Sequence, residues 1–106
     1  MNGTEHRYAP GRIRLLHVDD DPAFLDVTKA FLTRELPSVE VTTVGRPEAA
    51  IERLRTESFD CVVSDYEMPG TDGLELLSQV RDRSSELPFL LYTGKGSESI
   101  ASRAIN

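Results

Sequence analysis

The chain has 106 residues, 39% of them hydrophobic, which is enough for one compact core and too few for two. Its formal charge of -6 speaks against direct binding to a nucleic-acid backbone, where clustered Lys and Arg must displace counterions. No apolar stretch reaches bilayer-spanning length, and the polar opening from Met1 to Gly11 lacks the hydrophobic centre of a secretory signal, so a cytoplasmic protein without membrane contact is expected.

Residues 1–11 show no period and read as a flexible leader, with a single domain over 12–106. Ile13, Leu15, Leu16 and Val18 make an apolar run too short for a helix, so they predict a first strand ending at Asp19. Asp21 is placed to cap a helix that begins at Pro22, carries Phe24, Leu25, Val27, Phe31, Leu32 and Leu36 at helical spacing, and stops before Pro37. Val39 to Thr43 alternates apolar and polar side chains, the pattern of a strand at a sheet edge with one solvated face. A second helix follows Pro47, with Ala50, Ile51 and Leu54 as its stripe. The run Cys61-Val62-Val63-Ser64 predicts a strand covered on both faces, in which the lone cysteine, Cys61, is a small buried hydrophobe. After a turn at Met68-Pro69-Gly70, a helix carries Leu74, Leu76, Leu77 and Val80; Pro88 then opens a fourth strand, Phe89 to Tyr92, and a last helix follows Ser97. Strands alternating with helices imply parallel strands joined by right-handed crossovers, hence an open α/β sheet with helices on both sides.

Ligands of such sheets bind just beyond the carboxyl ends of the strands, which directs attention to Asp19-Asp20-Asp21, Asp65 and Thr93. If the first and third strands are neighbours, carboxylates from two loops share one crevice, and like charges that close either raise a pKa or demand a cation. An all-oxygen donor set without nearby His or Cys suits magnesium and disfavours zinc. A carboxylate can act as the nucleophile of phosphoryl transfer when charge on the transferring group is neutralised, and the Thr93 hydroxyl can donate to a phosphoryl oxygen, with Gly94 leaving room beside it.

Three segments, Val18-Asp19-Asp20-Asp21-Pro22, Ser64-Asp65-Tyr66-Glu67-Met68-Pro69-Gly70-Thr71-Asp72-Gly73 and Leu91-Tyr92-Thr93-Gly94, resemble the receiver domains of two-component signalling in residue type, spacing and strand context. The resemblance runs from about Arg12 to the end of the chain. It implies a flavodoxin-like sheet of strand order 2-1-3-4-5, with Asp65 as phosphoacceptor. It also implies Mg2+ held by Asp20, Asp65 and the backbone carbonyl of Glu67, with Asp19 assisting through water. Thr93 would couple phosphorylation to a change of shape, the donor would be a phosphohistidine on a sensor histidine kinase, and the receiving effector or output domain is not readable from the residues. Glu67 and Lys95 flank the site at equal distances from Asp65 and Thr93, and are expected to pair across its mouth and slow attack of water on the phosphoaspartate.

Other readings compete for the same residues. The three aspartates alone fit a solvated loop with a helix cap, and Met68-Pro69-Gly70 alone fits any turn. His6 and His17 lack partners at ligand spacing and are left out of the site. Gly94-Lys95-Gly96-Ser97 looks like part of a phosphate-binding loop but lacks the upstream glycine. The main enzyme alternative is a hydrolase resembling the haloacid dehalogenase family, in which Asp19 is the nucleophile and Asp21 the acid; the absence of a cap insertion and of a late acidic pair tells against it. Against the receiver pattern, the chain stops at Asn106 before the family's fifth strand, its lysine and a fifth helix. The fourth strand would then be an open apolar edge, from which edge-mediated association into a homodimer is expected.

Overall fold

The computed structural model describes residues 12–93. The leader 1–11, the expected last helix, Gly94 and Lys95 lie outside the described residues.

The first strand, β1 (Ile13–Val18), leads into helix α1 (Pro22–Glu35). The Asp21 carboxylate accepts hydrogen bonds from the amides of Ala23 at 3.1 Å and Phe24 at 3.2 Å, which satisfies donors that the first helical turn leaves open, and Pro22 contributes a fixed φ where no N–H is needed. Strand β2 (Val39–Val44) is followed by helix α2 (Pro47–Thr56). Arg46 gives α2 no side-chain cap; Glu48 in its first turn and Arg53 and Arg55 in its last complement the helix dipole instead. Then come β3 (Cys61–Asp65), α3 (Gly73–Arg83) and β4 (Phe89–Tyr92). Asp72 caps α3, its carboxylate accepting from the Glu75 amide at 2.9 Å.

All four strands are parallel, in the order β2-β1-β3-β4. This is the expected flavodoxin-like order over the described part, with β2 at an edge as its alternation requires. The register aligns Val18 with Val44 on one side and with Ser64 on the other, and Asp65 with Tyr92. Because successive side chains of a strand point to opposite faces, this register also sorts the core. Leu16 and Val18 of β1 and Val62 of β3 point one way and join Ala50, Ile51, Met68, Leu76 and Val80 in a buried cluster under α2 and α3. Leu15, His17 and Val63 point the other way, toward Phe24, Thr28 and Leu32 of α1 and toward Tyr92, around a small cavity of about 190 Å³.

The two faces are unequally covered, which corrects two expectations. β3 alternates between buried Val62 and Ser64 and partly exposed Cys61, Val63 and Asp65, so it is not sealed on both sides. Cys61 pairs in register with Leu15 and therefore lies on the α1 face, half-buried where full burial was expected. Burial, and then the neighbouring Asp60 charge, push its thiol above the ordinary range, which favours the protonated form. Helical spacing on α1 was read correctly, but among Phe24, Leu25, Val27, Phe31 and Leu36 only Leu25 is buried. Among the described residues, α1 faces one side of the sheet while α2 and α3 face the other.

Leu76 is fully buried in the α2/α3 core and Val27 is 67% exposed. Leu76→Ala should cost about 3 kcal/mol through lost burial and a residual cavity, while Val27→Ala should stay within about 0.5 kcal/mol. Urea unfolding of the two variants with unchanged m-values checks this asymmetry.

Candidate functional site

The main-chain ladders continue just past the strand ends and hold the site's backbone. The Asp19 amide donates to the Val44 carbonyl at 3.2 Å, and the Tyr66 amide to the Tyr92 carbonyl at 2.7 Å. Asp19 and Asp20 therefore leave β1 beside the point where Asp65 ends β3, because β1 and β3 are hydrogen-bonded neighbours. One carboxylate oxygen from each of Asp19, Asp20 and Asp65 lies within 4.8 Å of the others. Asp19 is buried, Asp20 is exposed and Asp65 is partly buried. The cluster opens into a cleft of about 780 Å³ whose wall also includes Glu67, Pro69 and Asp72.

Each carboxylate has its own surroundings. Both oxygens of Asp19 are held by the protein: Oδ1 accepts from the Asp21 amide at 2.9 Å, and Oδ2 accepts from the Tyr92 hydroxyl. The Tyr92 oxygen in turn lies 2.9 Å from His17 Nε2. Asp65 Oδ1 accepts from the Glu67 amide at 3.3 Å. Burial, and after it the charges of Asp19 and Asp20, push the Asp65 carboxyl above its ordinary range, although the Glu67 and Tyr66 amides pull the other way. The same carboxylates and burial push the Tyr92 phenol up, so it is a proton donor throughout the ordinary pH range.

The segment after Asp65 is shaped mainly by packing. Met68 drops into the α2/α3 core, and Gly70 adopts φ +83°, a left-handed conformation that favours glycine. Gly73 passes so close to the end of β3 that a Cβ there would sit 2.4 Å from the Asp65 carbonyl oxygen, while its amide donates to the Tyr66 carbonyl at 2.7 Å. The Met-Pro-Gly and Asp-Gly elements of the sequence pattern thus fix the path of the chain around Asp65.

Among the residues picked from sequence, Asp19, Asp20 and Asp65 come together, and Glu67 lines the same cleft. Thr93 directly follows β4 and is half-buried. Gly94 and Lys95 lie outside the described residues, and so does the expected pairing of Lys95 with Glu67. Two residues were missed. Tyr92, which the sequence pattern marks only as strand, donates its hydroxyl to Asp19, and His17, without a partner at ligand spacing, meets that hydroxyl. The signal was strand parity: Tyr92 aligns with Asp65 across β3 and β4, and His17 shares its face.

The donor set fits a hard divalent cation, since the three converging groups supply oxygen only and the one nearby imidazole is turned to Tyr92. The fold and cluster define a class: an open parallel α/β domain with an acidic centre beyond the carboxyl ends of its two inner strands. Comparison with known proteins makes this specific. The sequence model of the response regulator receiver domain matches residues 15–106. The chain is 38% identical over 88 residues to the transcriptional regulatory protein FixJ of Bradyrhizobium diazoefficiens, covering 83% of this chain and 42% of FixJ. It is also 38% identical over 92 residues to the response regulator protein FleR of Pseudomonas aeruginosa, covering 87% of this chain and 19% of FleR. It thus spans less than half the length of these relatives. Among solved structures, the response regulator protein TrrA of Thermotoga maritima, in complex with Mg(2+)-BeF, superposes with a TM-score of 0.76 at 30% identity, covering 85% of this chain and 75% of that one. The chain belongs to the response regulator receiver domain family.

The hydrolase alternative falls with this result. Asp19, its nucleophile, is 4% exposed with both oxygens engaged, and the relatives found are response regulators.

The raised Asp65 carboxyl has a definite sign for stability. Its folded value lies above its unfolded one, so the folded chain holds this proton more tightly; the contribution to stability is present below the unfolded carboxylate range and is lost as pH rises through the folded value. In chelator, Asp65→Asn should therefore melt above the parent at pH 7, with the gap closing as pH approaches about 4. Thermal unfolding across that range checks it, and parallel curves for the two proteins would contradict it.

Proposed function

We propose that this chain is a phosphoacceptor domain, 12–106, in which Asp65 receives a phosphoryl group from a sensor histidine kinase and the modified domain signals to an effector or output domain. The observation that carries the reading is the convergence of the Asp19, Asp20 and Asp65 oxygens at the ends of adjacent parallel strands. Membership of the receiver family and the likeness to TrrA in complex with Mg(2+)-BeF support it.

Asp20, Asp65 and the Glu67 carbonyl would hold Mg2+, with Asp19 acting through a metal-bound water, since its own oxygens already have protein donors. When bound, the ion neutralises charge on the phosphoryl group and on the cluster, which removes the repulsion that would keep an anionic donor away. An Asp65 oxygen attacks phosphorus, a P–O bond forms as the donor's P–N bond breaks, and the departing imidazole nitrogen takes a proton. The open cleft of about 780 Å³ admits a protein-borne phosphohistidine, and Asp65 is the partly exposed carboxylate at its floor. Thr93, next along from β4, would donate its hydroxyl to the new phosphoryl oxygens with Gly94 beside it, drawing the loop inward and shifting the population toward a partner-binding state. Glu67 and Lys95 would flank the bound group and limit the access of water to it.

Incubation with a small acyl phosphate should label the parent chain only when Mg2+ is present, with the adduct mapping to Asp65 by mass spectrometry, and Asp65→Asn should lose the label. Labelling of Asp65→Asn at the parent level would refute the assignment.

We also propose that the β4 edge supports self-association. Among the described residues β4 pairs only with β3, and its Leu90 is 64% exposed. Light scattering should show dimers that grow with concentration and diminish in Leu90→Lys; a monomer at all concentrations would count against it.

A further inference from the structure

The chain His17–Tyr92–Asp19 is the feature the function above leaves unexplained. A phenol carries one hydrogen, and here the Asp19 carboxylate, a pure acceptor, takes it. The Tyr92 oxygen must then accept from His17, which places the imidazole proton on Nε2 and leaves Nδ1 bare. His17 Nδ1 is buried without a hydrogen-bond partner, an arrangement tolerable for a lone pair and costly for an N–H, so the neutral ring with this one tautomer is fixed. The rings are held in place by mutual contact, Phe24 lying 5.8 Å from His17 and 6.0 Å from Tyr92 between centroids. Tyr92 therefore presents its O–H to Asp19 from a fixed position, at the most buried carboxylate of the cluster.

We propose that the Tyr92 hydroxyl, oriented by His17, is the positioning residue that balances Asp19 when no cation is bound, and that by stabilising the metal-free cluster more than the loaded one it lowers the affinity of the site for magnesium. The proposal rests on the reading of Asp19, Asp20 and Asp65 as a magnesium site. The physical argument is a cycle of four states. A hydrogen bond to a buried carboxylate stabilises the metal-free cluster, in which three like charges face one another. Once a doubly charged ion is present the carboxylate is already compensated, and the same hydroxyl adds less. Removing the hydroxyl thus raises the energy of the metal-free state more than that of the metal-bound state, and binding tightens. A residue that served packing alone would change stability and leave the affinity where it was.

The test is calorimetric titration of the full chain with MgCl2, with circular dichroism confirming the fold of each variant. Tyr92→Phe keeps the ring against His17 and Phe24 and removes only the oxygen. It should bind Mg2+ about three- to tenfold tighter than the parent, less than the full worth of a hydrogen bond to a charged group because part of that bond survives once the ion is bound. In an Asp19→Asn background the same change should shift affinity less than about twofold, because the charge being balanced is gone. His17→Gln, which can keep an N–H donor in place of Nε2, should match the parent, and His17→Leu should move part of the way toward Tyr92→Phe. Equal or weaker binding by Tyr92→Phe, or the same gain with and without the Asp19 charge, would overturn the proposal while leaving the metal site intact. Absence of saturable Mg2+ binding in the parent would instead remove the site reading and the proposal with it.

Discussion

Three carboxylates within 4.8 Å of one another are an unfavourable arrangement that the sheet imposes. Strands β1 and β3 are hydrogen-bonded neighbours in fixed register, Val18 against Ser64, so the next residues along each strand have no freedom to separate. The ladders run on past the strand ends through the Asp19 and Tyr66 amides, which extends that rigidity to the site. A cluster of like charges on flexible loops would relax by moving apart. Here the strand register holds the acidic ends of β1 and β3 side by side, and the converging oxygens are a donor set that suits a hard cation.

The rest of the fold divides into what holds that arrangement and what leaves it open. Below the sheet, Leu16, Val18 and Val62 lock into Ala50, Ile51, Leu76 and Val80, and Met68 carries the loop after Asp65 down into the same core. The close approach of Gly73 to the Asp65 carbonyl ties the start of α3 to the end of β3, so the acceptor loop and the core move together. Above the sheet, among the described residues, α1 faces Leu15, His17, Val63 and Tyr92, and here the structure places a polar chain that ends on Asp19. The two faces thus meet the site differently: one packs the loop after Asp65 into the core, and the other carries the hydroxyl that donates to Asp19.

Much of this was legible in the residues. Prolines, the Asp21 cap and hydrophobic periodicity marked the elements within a residue or two, and Val39 to Thr43 announced an edge strand by its alternation. The aspartates were found because strand ends are where such sheets bind ligands. What escaped were properties of pairing. Cys61 looked buried because the run around it is apolar, but only register shows that it shares the thinly covered face with Leu15. Helical spacing on α1 reports which side chains align, without reporting how many are buried, and of Phe24, Leu25, Val27 and Phe31 only Leu25 is. His17 and Tyr92 are 75 positions apart, and nothing local to either says that a parallel register brings imidazole and phenol to within 2.9 Å.

The central claim is that Asp19, Asp20 and Asp65 form one divalent-cation site. The most direct measurement replaces magnesium with paramagnetic Mn2+ at substoichiometric amounts and follows the amide resonances of the isotope-labelled chain. Signals from residues 18–21 and 64–67 should broaden first and together, and excess Mg2+ should restore them. Broadening that begins elsewhere, or that strikes one of these segments and spares the other, would contradict it.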